Sequence, residues 1–323
     1  MIRSYRPFRP VAYGEARPEA VIEDPLTFDA AHPRTFRAEA DAESIRQLRP
    51  LWARCHCQPA MASVATQEFG LDVIGGSLRL RLYRAARPAP LLVYFHGGAF
   101  CLNNADVYDD LYRCVVALEG INLLAVDYRL APESPYPVGL EDAFAALTWA
   151  AGSLLGTGQC VGRLVVGGDS SGGNFAASAA LMARDRGGPE LAGQVLIYPL
   201  VIFRPDLPVA SEQRYGRGYF LEYTSQDSPV DFYFSDPAQA DSPYASPLAA
   251  PSLGGLPPAL VVNAECDPLL DQGLWYAARL QDSGVQVEYL LQRGMVHGFI
   301  NRPYRQTIET VARIGRFVRR VAR

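Results

Sequence analysis

The sequence predicts an α/β fold: a mostly parallel central sheet flanked by helices, with a cap over one end. Three observations point to it. Strand-like and helix-like segments alternate from Leu91 onward, which is the rhythm of β-α units. Several strands are short, continuously apolar runs, as strands buried on both faces are. The third is Leu164–Phe175, which reads Leu-Val-Val-Gly-Gly-Asp-Ser-Ser-Gly-Gly-Asn-Phe. A β-branched strand enters it and a small-residue helix leaves it. Gly168 to Gly172 form G-x-S-x-G, the pattern in which a strained turn lifts a serine over the end of a sheet. Glycine suits that turn because no Cβ fits on either side. The next helix aims its N-terminal dipole and free N–H groups at the same place.

Composition bounds the rest. A chain of 323 residues is long enough for one large domain with a smaller lid. Apolar content of 49% and charged content of 20% are ordinary for a globular protein. A net charge of −4 offers no attraction for nucleic acid or an anionic membrane surface. Met1–Gly14 is broken by Arg and Pro and lacks a signal-peptide core. No run approaches the ~18 apolar residues of a membrane helix, so a cytoplasmic location is expected. Six cysteines in so long a chain do not read as a disulfide framework. Cys55-His56-Cys57 has no second pair at ligand spacing, so local packing is expected there rather than zinc.

Taken in order, residues 1–65 form a covering segment, with a short amphipathic helix expected over Ala38–Arg49 and ended by Pro50. Glu68–Ile74 and Leu78–Tyr83 are strands around a Gly75-Gly76 turn. Leu91–Phe95 is a buried strand ending in His96-Gly97-Gly98-Ala99-Phe100. Paired glycines let backbone N–H groups face an open site, as a developing oxyanion requires. Tyr108–Leu118 is a helix and Leu123–Tyr128 a strand. The proline-containing loop from Asp127 to Pro137 is expected to pair its charges internally. Leu140–Ala151 is a helix, followed by the serine turn and a helix from Ser171 to about Arg186.

Val195–Tyr198 is the next strand. Residues 200–247 then break the rhythm with many aromatics, a long insertion of the kind that covers a site. Those aromatics line an apolar pocket or pack on one another. Ala259–Ala264 resumes the sheet, Leu269–Ser283 is a helix ended by Gly284, and Val285–Leu291 is the last strand. The closing helix, Gln306–Ala322, carries Ile308, Val311, Ile314, Phe317, Val318 and Val321 on one stripe.

Ligands on such sheets bind outside the carboxyl ends of the strands. Gly97-Gly98, Ser170, Asp267 and His297 each follow a strand, so one rim gathers them. Their chain order is Ser, Asp, His, the order of the α/β-hydrolase arrangement. Ser170 is the candidate nucleophile and His297 its general base. Asp267 would orient the imidazole, in preference to Glu265 on the strand or Asp271 in the helix. N–H groups of Gly97, Gly98 and Ser171 are the candidate oxyanion donors.

The chain resembles the hormone-sensitive lipase-like family of α/β-hydrolase carboxylesterases. The motifs are His-Gly-Gly-Ala-Phe at 96, Asp-Tyr-Arg-Leu-Ala-Pro-Glu at 127, Gly-Asp-Ser-Ser-Gly-Gly-Asn at 168, Asp-Pro-Leu-Leu-Asp at 267 and His-Gly-Phe at 297. Together they span residues 66 to about 320 in the family's order. The resemblance implies a serine carboxylesterase acting on short-to-medium acyl esters through an acyl-enzyme, with no metal or cofactor and with frequent homodimers. It implies a cap made of residues 1–65 and the 200–247 insertion, over a catalytic domain of residues 66–199 and 248–323. Ala99 stands where the family often has a third glycine, Ser171 where it commonly has Ala, and Asn103-Asn104 where it shows Gly after Leu102. Amide hydrolysis on the same machinery and a non-catalytic small-molecule receptor are the alternative readings.

Overall fold

The computed structural model describes residues 63–204, 207, 209–223, 230–302 and 304–323, and a two-residue strand at Phe36–Arg37. The helix expected over Ala38–Arg49 and the Cys55-His56-Cys57 segment lie outside the described residues. Eight strands form the central sheet: β1 (Ala65–Val73), β2 (Gly76–Arg84), β3 (Leu91–Phe95), β4 (Asn122–Asp127), β5 (Leu164–Asp169), β6 (Leu191–Ile197), β7 (Ala259–Cys266) and β8 (Val287–Val296). Their spatial order is β1-β2-β4-β3-β5-β6-β7-β8. The β1–β2 and β2–β4 pairs are antiparallel and all others parallel. Five long helices accompany them: α1 (Asp109–Glu119), α2 (Val138–Ser153), α3 (Ser171–Asp185), α4 (Leu270–Asp282) and α5 (Arg305–Val321).

The period-two alternation of strand side chains divides the core into two layers. Leu91, Val93 and Phe95 of β3 face the same layer as Leu164 and Val166 of β5, and α2, α3 and α4 close over them. Leu92 and Tyr94 face the opposite layer with Val165, Leu260 and Val262, under α1 and α5. Every residue of β3 is buried, which explains its unbroken apolar sequence. Each fully buried Leu or Val contributes about 1.5–3 kcal/mol, so the central strands anchor the rim that carries the site.

Several boundaries differ from the sequence reading. β8 continues to Val296 instead of stopping at Leu291, because a register shift between Gln292 and Val296 absorbs Gly294 in a left-handed conformation. β6 starts at Leu191, four residues early. Ile308 is 48% exposed and leaves the apolar stripe of α5. Asp127 and Arg129 of the 127–137 loop reach outward rather than pairing with each other. Arg129 forks onto Asp142 of α2, and Asp127 takes Arg79 of β2 and the amide of Ala105.

The insertion contains a six-residue helix, Ala210–Tyr215, and single turns elsewhere. Leu221–Glu222 pairs in parallel with Phe36–Arg37. Phe203, Tyr215, Tyr223, Phe232, Tyr233 and Phe234 are buried. Phe203, Tyr233 and Phe234 pack mainly on one another and on Phe100, whose ring stacks on Tyr233 at 3.8 Å.

Candidate active site

The serine turn is built by backbone contact. A Cβ on Gly168 would strike the carbonyl of Gly172, and one on Gly172 would strike the carbonyls of Phe95 and His96. β5 and α3 therefore meet with no side chain between them, and the intervening residue is forced out. Ser170 has φ 56° and ψ −121°, a conformation costing a non-glycine residue about 1–3 kcal/mol. The surroundings hold it: its amide donates to the Ile197 carbonyl at 2.9 Å, and its carbonyl accepts from Asn174 at 3.0 Å.

The three triad candidates meet. His297 Nε2 lies 2.9 Å from Ser170 Oγ, and Nδ1 lies 2.8 Å from Asp267 Oδ2. A carboxylate only accepts, so Nδ1 carries the proton and donates it to Asp267. The Nε2 lone pair is then left to accept from the serine hydroxyl. Asp267 is fully buried, and its other oxygen accepts from the Leu269 amide at 2.8 Å. His297 is 6% exposed and packs against the Tyr198 ring at 4.5 Å. The rival acids point elsewhere. Glu265 accepts from the Gly294 amide, and Asp271 accepts from the Ser211 amide of the insertion.

The two glycines of the turn after β3 are placed differently. The Gly97 amide donates to Asp169 Oδ1 at 3.0 Å and lies 3.1 Å from Tyr108 Oη. That amide is therefore used inside the fold, on the Asp169 carboxylate. Beyond it the chain turns through three consecutive positive φ values, 129° at Gly98, 50° at Ala99 and 64° at Phe100. Among the described residues no protein acceptor takes the amides of Gly98, Ala99 or Ser171. The turn is pinned from behind: the Gly97 carbonyl accepts from His96 Nδ1 at 2.8 Å and from Asn103 Nδ2 at 3.0 Å. His96 in turn stacks on Tyr128 at 4.3 Å, and its burial pushes its pKa down. Asn103, which departs from the family pattern, thus braces the turn.

The sequence reading passed over Asp169, the residue before the serine. It is 2% exposed and accepts hydrogen bonds from Tyr94, Tyr108 and Gly97. Burial pushes its carboxyl up to about 6, against the pull of Tyr108 and Tyr94. Its only sequence signal was its place between the first glycine and the serine.

Known proteins agree with this architecture. A family model described as the alpha/beta hydrolase fold matches residues 92–301. Carboxylic ester hydrolase LipN of Mycobacterium tuberculosis is 38% identical over 275 residues, covering 81% of this chain and 71% of that protein. Carboxylesterase NlhH of the same organism is 39% identical over 215 residues, covering 66% of this chain and 67% of its own length. The solved esterase of Pyrobaculum calidifontis superposes with a TM-score of 0.81 at 35% identity, covering 92% of this chain and 98% of that one. The chain belongs to the α/β-hydrolase family, on its hormone-sensitive lipase-like carboxylesterase branch.

Proposed function

We propose that the protein is a serine carboxylesterase in which Ser170, His297 and Asp267 act as the catalytic triad. The observation that carries this reading is the unbroken hydrogen-bonded chain from Ser170 Oγ through the imidazole to a buried carboxylate. A serine hydroxyl is a poor nucleophile near neutral pH. As Ser170 Oγ attacks the ester carbonyl, His297 Nε2 takes its proton. The imidazolium is stabilised by Asp267, which stays ionised. Nε2 then returns the proton to the departing alkoxide, leaving an acyl-serine. Water repeats the cycle: Nε2 accepts its proton, and the acid leaves as Ser170 is reprotonated.

The negative charge of each tetrahedral intermediate would fall on the amides of Gly98, Ala99 and Ser171, whose free N–H groups support that role. Loss of one such donor typically costs about 3 kcal/mol of transition-state stabilisation. The pairing of Phe36–Arg37 with Leu221–Glu222 supports a cap made of residues 1–65 and 200–247 over a catalytic domain of 66–199 and 248–323. The ring of Phe100, filled against Tyr233 beside the oxyanion loop, supports a preference for short acyl chains. Among the described residues no helix is long and apolar enough to cross a membrane.

A panel of p-nitrophenyl esters graded in acyl length, with the matching anilides, tests the reading. Turnover should be highest on short acyl esters and lost in Ser170→Ala. Anilides cleaved as fast as the esters would make the protein an amidase. Ligand binding without turnover would make it a receptor, and best activity on emulsified long-chain triglyceride would overturn the short-chain assignment.

A further inference from the structure

We propose that Asp169 is a positioning residue for the hydrolysis, tying the oxyanion loop to the nucleophile turn and placing a second negative charge behind His297. The inference rests on the triad reading above and goes beyond it. Four donors from separate parts of the fold converge on this one carboxylate. Oδ1 accepts from Tyr94 of β3 at 3.1 Å and from the Gly97 amide at 3.0 Å. Oδ2 accepts from Tyr108, at the start of α1, at 2.9 Å and more weakly from Tyr198, at the end of β6, at 3.4 Å. Asp169 itself is the last residue of β5, one peptide from the nucleophile.

The contact at Gly97 is the mechanical half of the proposal. A Cβ there would stand 2.7 Å from Asp169 Oδ2 and 3.1 Å from Ser170 Cβ. Glycine is therefore required at 97 for close approach to the carboxylate rather than to a substrate. With the Gly97 amide fixed on Asp169, the course of the next two amides, Gly98 and Ala99, is set from that anchor by the positive φ values that follow. A shift of about 1 Å in such a group can cost on the order of a hundredfold in rate.

The electrostatic half follows from how the charge is partnered. The buried Asp142 is matched by Arg129, and the half-buried Asp127 by Arg79. Asp169 has only neutral donors, and among the described residues no arginine pairs with it. The neighbour that can become cationic is His297, whose charge interacts favourably with Asp169. The Tyr198 side chain joins the two, its ring on the imidazole and its hydroxyl toward Oδ2. A carboxylate without a cation of its own favours the imidazolium that forms as Ser170 attacks.

Other groups around it stay silent near neutral pH. Burial holds Tyr94, Tyr108, Tyr112, Tyr128 and Tyr198 well above the ordinary tyrosine value. His96, behind Tyr108 and Tyr128, is pushed down. Asp169 is thus the group in this cluster that titrates in the acid range.

The test is the pH profile of Asp169→Asn beside wild type and Ser170→Ala, on a short-chain p-nitrophenyl ester. Asp169→Asn should lower kcat about ten- to a hundredfold with KM changed less than about threefold. Its acid limb in kcat/KM should move to lower pH and lose steepness, since one titrating group and one negative charge are gone. Tyr108→Phe removes a donor to Oδ2 and keeps the ring. It should lower kcat severalfold at unchanged KM, and it carries the test if Asp169→Asn does not fold. Folded Asp169→Asn with wild-type kcat and an unmoved acid limb overturns the inference, as does a loss confined to KM; with Asp169→Asn unfolded, wild-type kcat in Tyr108→Phe overturns it too. A wild type without esterase activity, or an active Ser170→Ala, instead overturns the triad reading and this inference with it.

Discussion

Around Ser170 the chain is held by backbone against backbone. Gly168, Gly172 and Gly97 have no space for a methyl group, and Gly98, Ala99 and Ser170 sit at positive φ. Across the site, Asp267 and His297 are held by side-chain hydrogen bonds and burial, at the ends of strands with ordinary neighbours. The difference teaches where each half is vulnerable. On the nucleophile side a single added carbon disturbs the fold, because carbonyl groups of two elements already touch. At Asp267 and His297 a substitution of equal volume is expected to leave the fold intact and, on the proposed roles, to remove only the chemistry.

The largest expected effect is chemical and sharpens that contrast. Ser170→Ala should lower kcat about a millionfold while its urea midpoint stays at or above that of wild type, since the strained position is retained with a smaller side chain. Asp267→Asn should follow at about ten-thousandfold in kcat, because an amide at this position favours the wrong imidazole tautomer. Its secondary structure by circular dichroism should match wild type. A large loss of stability in Asp267→Asn would break the contrast.

Gly172→Ala should behave in the opposite way. The new methyl would meet the Phe95 and His96 carbonyls, and about 3 kcal/mol of unfolding free energy should be lost. Chemical denaturation measures it, and an unchanged midpoint would show that the turn has slack.

Asp169 gives an effect of similar or smaller size, with a sign set by linkage. Its folded carboxyl sits near 6, above the ordinary value of 3.8. Its contribution to stability is therefore fully present below about pH 4 and is lost as pH rises through about 6. The stability of wild type relative to Asp169→Asn should fall by roughly 2–3 kcal/mol between pH 4 and pH 7. Denaturation at the two pH values checks it, and a flat difference would contradict the burial argument. The smallest effect belongs to the exposed pair Arg305–Glu309 on α5. Arg305→Ala should change stability by less than ~0.5 kcal/mol and leave turnover untouched.

The same contrast explains what the sequence could and could not tell. Backbone crowding leaves a compositional trace, so Gly168 to Gly172 and the His96–Phe100 turn were readable as a turn at a strand end. Apolar runs such as Leu91–Phe95 announced strands buried on both faces. The candidate acid and base left no local trace; Asp267 and His297 stood out through their order and their places after strands. Which amide of a glycine pair faces outward was not readable, since Gly97 and Gly98 look alike until Asp169 takes one of them. Asp169 was hidden because its tyrosine partners lie 75, 61 and 29 residues away. The partners of Asp127 and Arg129 were missed for the same reason. A loop's charges can be satisfied across the fold, and no spacing rule records it.

Mass spectrometry after reaction with a fluorophosphonate tests the central claim most directly. The account predicts one phosphonyl group per chain, on the peptide containing Ser170, with ester hydrolysis lost in proportion to labelling and no labelling of Ser170→Ala or of unfolded protein. Stoichiometric modification of another residue, or full modification of Ser170 with hydrolysis undiminished, would contradict it.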